Sequence, residues 1–153
     1  MPLLKKYENL VVLRTLSKIG LAGLRVGFMI AGEEVVNEAN KVRLPFNLNS
    51  LSQKVAADAL QNKKQMREDI RTIVSERKKL LKEMGRIEGV EPYPTDANFI
   101  LFKVRDGDGI YSALLDKGVL VRNMKSAADG CLRVTVGTAK ENGAFLKALK
   151  QLL

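Results

Sequence analysis

Residues 10–31, LVVLRTLSKIGLAGLRVGFMIA, contain two apolar runs separated by a short polar and glycine-containing link. The run from Leu10 to Leu13 is continuous and rich in β-branched residues, which predicts a strand buried on both faces of a parallel sheet. A second strand is predicted from Arg25 to Ala31. The glycines from Gly20 to Gly27 would let the intervening backbone turn tightly or approach a ligand closely.

The rest of the chain alternates between helical and strand patterns. One helix is predicted over Glu33 to Val42, and another begins at Ser50, whose spacing to Gln53 fits a capping box. Helical spacing continues to Met84, with a polar patch at 61–65 where the helix either breaks or bends. Short strands are then predicted over 90–93, 98–104, 119–124 and 131–137, and helices over 108–117 and from Thr138, where a second capping box begins.

This alternation predicts an α/β protein of uneven organisation. Residues 1–48 hold too few elements to enclose a core and are interpreted as the end of a larger domain. Residues 49–63 are interpreted as an interdomain helix, and residues 64–153 as a small carboxy-terminal α/β domain.

Composition narrows the chemistry that the 153 residues can perform. Histidine is absent, which excludes Ser-His-Asp or Cys-His catalysis and imidazole metal ligands, and no metal site is predicted. The only cysteine, Cys131, is interpreted as a small packing residue. No apolar stretch is long enough to span a membrane, so an intracellular, cytoplasmic protein is expected.

Net charge keeps a second class of function open. The chain carries 26 Lys and Arg against 17 Asp and Glu, a formal charge of +9, and many of the cations lie on the long helix. Most are expected to form a solvated face. Arg67 with Arg71, or Lys78 with Lys82, could line up and bind a polyanion weakly, so a noncatalytic basic binding module is the alternative hypothesis.

The link between the first two strands carries the strongest chemical signal. Lys18 follows a strand end, lies beside the hydroxyls of Thr15 and Ser17, and precedes Arg25. Lysine attacks an aldehyde as the neutral amine, a form that nearby positive charge favours. The guanidinium and hydroxyl groups are suited to phosphate, so this combination indicates a phosphate-bearing aldehyde cofactor.

The segment RTLSKIGLAGLRVGF, residues 14–28, resembles the lysine motif of fold-type-I aminotransferases that depend on pyridoxal phosphate, and is most similar to the histidinol-phosphate aminotransferase family. The segments DANFILF (96–102), GVLVRNM (118–124) and GCLRVTVGT (130–138) follow in the family's order. The resemblance implies the end of the large domain of that fold followed by its small domain.

By this resemblance, Lys18 would hold pyridoxal 5'-phosphate covalently and move the proton, while Ser17 and Arg25 would bind the cofactor phosphate. Arg133 would bind the carboxylate of glutamate or, with Arg122, the phosphate of histidinol phosphate. The implied reaction transfers the amino group of histidinol phosphate to 2-oxoglutarate in histidine biosynthesis, in a homodimer. A different aminotransferase of the same class is the near alternative.

Two features depart from the family pattern. The spacing from Lys18 to Arg25 is one residue shorter than is common in the family, which tightens the loop at Gly20. The family's residues that contact the cofactor ring, and the tyrosine that the partner subunit supplies, all precede the segment found here. The chain alone is therefore expected to be inactive.

Overall fold

The structure is a computed structural model that describes residues 2–153. The described residues form two compact units, one over residues 2–68 and one over 69–153. The first unit contains the helices and strands α1 (Pro2–Lys6), β1 (Val12–Thr15), β2 (Gly27–Ile30), α2 (Glu33–Val42) and α3 (Ser50–Gln61). Short 3-10 turns at Ser17–Ile19 and Ala22–Leu24 lie between its two strands.

The prediction that the first strand belongs to a parallel sheet is wrong. β1 and β2 pair as an antiparallel hairpin, with Val12 opposite Ile30 and Thr15 opposite Gly27. Leu13 is 75% exposed, although a strand buried on both faces was expected. The physical reason is the short connection, because parallel neighbours need a crossover of a dozen or more residues whereas antiparallel ones need only a turn.

The helical predictions are largely confirmed. α2 has the predicted bounds, and α3 begins at Ser50 as expected. The cap is one residue earlier than predicted, because the Asn49 side chain accepts the Ser52 amide at 2.8 Å. Of the two alternatives for the long helix, the break is the one found, at Asn62.

The second unit is a two-layer α/β structure. After α4 (Lys63–Met84), which begins in the first unit, its elements are β3 (Glu91–Pro92), β4 (Phe99–Lys103), α5 (Gly107–Asp116), β5 (Arg122–Asn123), β6 (Cys131–Thr135) and α6 (Ala139–Lys150). The sheet has the order β3-β4-β6-β5, and every neighbouring pair is antiparallel. The α/β class predicted from the sequence is confirmed.

One face of this sheet packs against the core, which determines the side chains that lie on the opposite face. Ile100 and Phe102 of β4 and Leu132 of β6 are fully buried, and they pack with side chains from the helices. The helical contributors include Leu80, Met84, Leu114, Phe145 and Leu149. Because strand side chains alternate between faces, Phe99, Leu101 and Arg133 are directed to the opposite face. Arg133 therefore lies on the face opposite the core.

Candidate active-site loop and arginine pair

The connection between β1 and β2 is braced by hydroxyl groups. Thr15 Oγ1 accepts the Ser17 amide at 3.1 Å and donates to Ser17 Oγ at 2.9 Å. The Leu16 amide donates to the Val26 carbonyl at 3.2 Å, which closes the base of the loop. Since Ser17 Oγ accepts from Thr15, the Ser17 hydroxyl proton is left available to a ligand.

Arg25 has an unusual backbone conformation. Its φ is 57°, in the left-handed region that residues other than glycine rarely occupy, and its amide donates to the Ala22 carbonyl at 3.3 Å. Such outliers cost about 1–3 kcal/mol and concentrate at functional sites. The strained residue is the arginine that the sequence motif singled out, and it lies just before β2 rather than within the predicted strand.

Two glycines, one within the loop and one at the start of β2, permit the backbone geometry of the loop. Gly20 has a φ of 90°, which ends the first 3-10 turn. At Gly27 a Cβ atom would lie 3.0 Å from the Arg14 carbonyl oxygen, closer than such contacts normally come. The prediction that glycine permits a tight turn is confirmed at Gly20, whereas Gly27 permits a close approach of the chain's own backbone.

Lys18 lies on the first 3-10 turn directly after β1, with an exposed side chain. The loop thus supplies one primary amine, the Thr15 and Ser17 hydroxyls and the Arg25 guanidinium. A hydroxyl and a guanidinium are donors suited to a phosphate dianion, and an amine is the group that bonds covalently to an aldehyde. The donor set fits a phosphate-bearing aldehyde.

The second unit brings together two arginines that are eleven positions apart in the sequence. Arg122 of β5 lies opposite Arg133 of β6, and Leu101 of β4 lies opposite Arg133 on its other side. Directly opposed side chains have Cβ atoms about 5 Å apart, and like charges in this position repel. An anion bound between the two guanidinium groups would relieve that repulsion.

Arg133 carries an unsatisfied donor. Its Nε is buried and has no hydrogen-bond partner among residues 2–153. Its guanidinium carbon lies 4.8 Å from the centre of the Phe99 ring, in a cation–π arrangement. A buried donor without a partner costs about 1–3 kcal/mol, so this nitrogen favours an acceptor from a ligand.

Sequence reasoning missed two charged residues of the second unit whose side chains are largely shielded from solvent. Within the basic run of α4, Glu76 is buried and the Arg77 side chain is only 12% exposed, although a solvated face was expected. Glu76 accepts from Asn142 Nδ2 at 3.2 Å and from Lys79 Nζ at 2.8 Å, and these hydrogen bonds lower its pKa. The sequence signal that could have found them is spacing, because Glu76 and Arg77 lie on the same side of α4 as the buried Leu80 and Met84.

Other electrostatic features lie on the surface. A hydrogen bond from Lys125 lowers the pKa of Asp108, and the pKa of Lys125 is raised in turn.

Among residues 2–153 no group of His, Cys, Asp and Glu could hold a metal ion. Within the same residues no helix has the length and apolarity needed to cross a membrane.

Comparison with known proteins identifies the family. The model of the family "Aminotransferase class I and II" matches residues 1–149. The chain belongs to the class I and II aminotransferases. Enzymes of this family depend on pyridoxal phosphate, which agrees with the donor set of the Lys18 loop.

Relatives of known structure and sequence support this membership. A histidinol-phosphate aminotransferase of Thermoanaerobacter sp. is 46% identical over 98% of the chain and 43% of its own length. The solved histidinol-phosphate aminotransferase of Clostridium acetobutylicum has a TM-score of 0.84 at 26% identity, over 97% of the chain and 47% of its own. A decarboxylase from Sulfurospirillum multivorans has a TM-score of 0.85 at 26% identity, over 99% and 46%.

The matches cover only part of each relative, so they do not transfer a whole enzyme's activity to this chain. The aminotransferase chain spans less than half the length of the relatives it matches. Its own residues supply the lysine loop and the paired arginines. The fold is shared by an aminotransferase and a decarboxylase, so fold alone does not decide the reaction.

Proposed function

We propose that this chain is the carboxy-terminal portion of a histidinol-phosphate aminotransferase, which transfers the amino group of histidinol phosphate to 2-oxoglutarate. The observation that carries the proposal is the pair Arg122 and Arg133, with a buried Arg133 Nε that lacks a partner. Both the substrate phosphate and the dicarboxylate are anions that this pair suits. Sequence identity of 46% to a histidinol-phosphate aminotransferase favours this reaction over decarboxylation.

In this proposal the loop between β1 and β2 holds the cofactor. Pyridoxal 5'-phosphate, when bound, withdraws electrons from the substrate carbon that loses its proton. Ser17 and Arg25 would bind its phosphate through a hydroxyl and a guanidinium, and Lys18 Nζ would be the amine that holds its aldehyde end. In the substrate complex, the free Lys18 Nζ amine would be the base that moves the proton.

Arg133 and Arg122 are proposed to bind the substrate anions. Arg133 holds the carboxylate of glutamate or 2-oxoglutarate, since a guanidinium can donate two parallel hydrogen bonds to a carboxylate. When histidinol phosphate is the substrate, Arg122 and Arg133 share its phosphate. One subsite thus serves both half-reactions, because the two substrates present an anion at the same position.

The remaining sequence-based expectations stay proposals. We infer a cytoplasmic enzyme that works as a homodimer, with residues 1–48 completing a large domain and residues 64–153 forming the small one. The chain alone is expected to give no turnover, because cofactor positioning supplies much of the catalytic effect and these residues provide only part of the contacts. We assign no binding function to the exposed basic residues of α4, which we interpret as a solvated face.

Reductive labelling tests the cofactor loop directly. The 153-residue chain is incubated with pyridoxal 5'-phosphate, reduced with borohydride and mapped by mass spectrometry. We expect label to concentrate on Lys18 and to fall when inorganic phosphate competes for Ser17 and Arg25. Arg25→Gln should abolish the preference for Lys18, whereas Arg43→Gln, in an exposed position of the same unit, should not.

The opposite pattern would sink the proposal. Uniform labelling of exposed lysines, insensitive to phosphate, would mean that the loop has no special affinity for the cofactor. Strong salt-sensitive binding of RNA without selective labelling would favour the basic binding module instead.

A further inference from the structure

Arg77 contacts the turn that precedes β4. Its Nη1 donates to the Ala97 carbonyl at 3.3 Å, and its Nη2 donates to Asp96 Oδ1 at 3.1 Å. Asp96 is fully exposed while the Arg77 side chain is 12% exposed. One planar guanidinium therefore holds two consecutive residues of the turn, a geometry that lysine cannot reproduce.

Hydrogen bonds and the Phe99 ring connect this turn to Arg133. Thr95 Oγ1 accepts the Ala97 amide at 3.0 Å and donates to the Phe99 carbonyl at 3.0 Å. The Asn98 carbonyl accepts the Val136 amide at 2.9 Å, which ties the turn to the end of β6. The Phe99 ring then lies against the Arg133 guanidinium.

We propose that Arg77 is a positioning residue for the anion subsite: by holding residues 96 and 97, it sets the Phe99 ring that orients the Arg133 guanidinium. This inference rests on the proposed role of Arg122 and Arg133. Arg77 itself touches neither the anion nor the reacting atoms. Its effect on anion binding passes through the turn and the Phe99 ring.

The Arg133 Nε–H group provides a local readout. In the 15N-labelled 153-residue chain its signal is assigned by its loss in Arg133→Lys, and inorganic phosphate is then titrated. We expect a saturable shift in the unmodified chain. Arg77→Gln should weaken the phosphate affinity reported by this signal about fivefold, since loss of one oriented hydrogen bond has an effect of this order.

Matched variants separate positioning from stability. Arg71→Gln removes an exposed arginine from the same helix and should leave the affinity unchanged. Arg77→Lys should fall between the unmodified chain and Arg77→Gln, and Phe99→Leu should match Arg77→Gln. If Arg77→Gln does not fold, Asp96→Ala, which removes only one of the two contacts, should still weaken phosphate binding measurably.

Two results would overturn the inference in distinguishable ways. An Arg77→Gln or Asp96→Ala protein that melts earlier but binds phosphate normally would show that Arg77 only stabilises the unit. If Arg133 in the folded, unmodified chain does not respond to phosphate at all, the proposed anion subsite fails, and the role of Arg77 fails with it.

Discussion

At the scale of single residues, polar side chains within the second unit are joined by long-range hydrogen bonds. Asn142 Nδ2 donates to Glu76 and to the Gly137 carbonyl, while Asn142 Oδ1 accepts the Gly137 amide at 3.0 Å. Asn142 and Glu76 are both buried. The amide therefore satisfies the turn that follows β6, the strand of Arg133, and links it to α4.

Replacing Asn142 tests this network. Asn142→Ala leaves the Gly137 amide and one Glu76 oxygen without their partner, which we expect to destabilise the second unit by about 1–3 kcal/mol. Hydrogen exchange of the β4 and β6 amides measures the loss in this unit alone. Lys79→Gln removes only the exposed contact of Glu76 and should cost less. Equal exchange rates in the two variants would contradict the network.

The hydrogen bonds that Glu76 accepts, first from Lys79 and then from Asn142, give stability a pH dependence. They lower the pKa of Glu76 in the folded state below its usual 4.5. The contribution is therefore present above the usual pKa and is lost as the pH falls through the lowered value. Glu76→Gln should flatten that part of the acid-stability curve, with the slope unchanged if Glu76 does not contribute.

At the scale of elements, the turn before β6 depends on one glycine. Gly130 has a φ of 69°, and a Cβ atom there would lie 2.9 Å from the Val104 carbonyl oxygen. The Val104 amide donates to the Gly130 carbonyl at 3.0 Å, so the turn also joins β4 to β6. The start of the strand that carries Arg133 is thus set by backbone conformation.

Two glycine-to-alanine substitutions should change the free energy of unfolding in opposite directions. Gly130→Ala should cost at least about 1–2 kcal/mol, from the left-handed conformation alone. Gly143→Ala, inside α6 with no neighbour within 4 Å of its Cβ, should stabilise by about 0.5–1 kcal/mol. Denaturation followed by far-UV circular dichroism compares the two. A neutral Gly130→Ala would show that the turn can rearrange.

At the scale of the whole molecule, the two units differ in how much core they contain. The hydrophobic core cluster consists of residues from Leu80 onward, whereas Leu16 and Ala56 are the buried apolar side chains described in the first unit. Most exposed large hydrophobic side chains lie in residues 2–68, with Phe46 99% exposed and Val42 82% exposed. Such exposure typically marks surface that another chain or segment covers.

Self-association of the purified chain is the expected consequence. Sedimentation velocity should show association that grows with concentration, because burying these side chains removes apolar surface from water. Phe46→Ser should weaken the association. Leu120→Ser, at a comparably exposed position of the second unit, is the matched control and should have little effect. A monodisperse monomer at high concentration would contradict this prediction.

Sequence alone determined what depends on neighbouring residues. The bounds of α2, the capping box at Thr138 and Glu141, and the alternation that buries Leu132 and Val134 all follow from local spacing. The lysine loop was recognised for the same reason, because its amine, hydroxyls and guanidinium are contiguous in the chain.

Only the tertiary structure decided what depends on pairing. The antiparallel hairpin of β1 and β2, the position of Arg122 opposite Arg133, and the contact from Arg77 to Ala97 each join residues that local patterns leave independent. The free energy of such contacts depends on strand register and packing across the unit. The contacts of Arg77, a basic residue in a helical run, were therefore visible only once the turn before β4 was placed beside it.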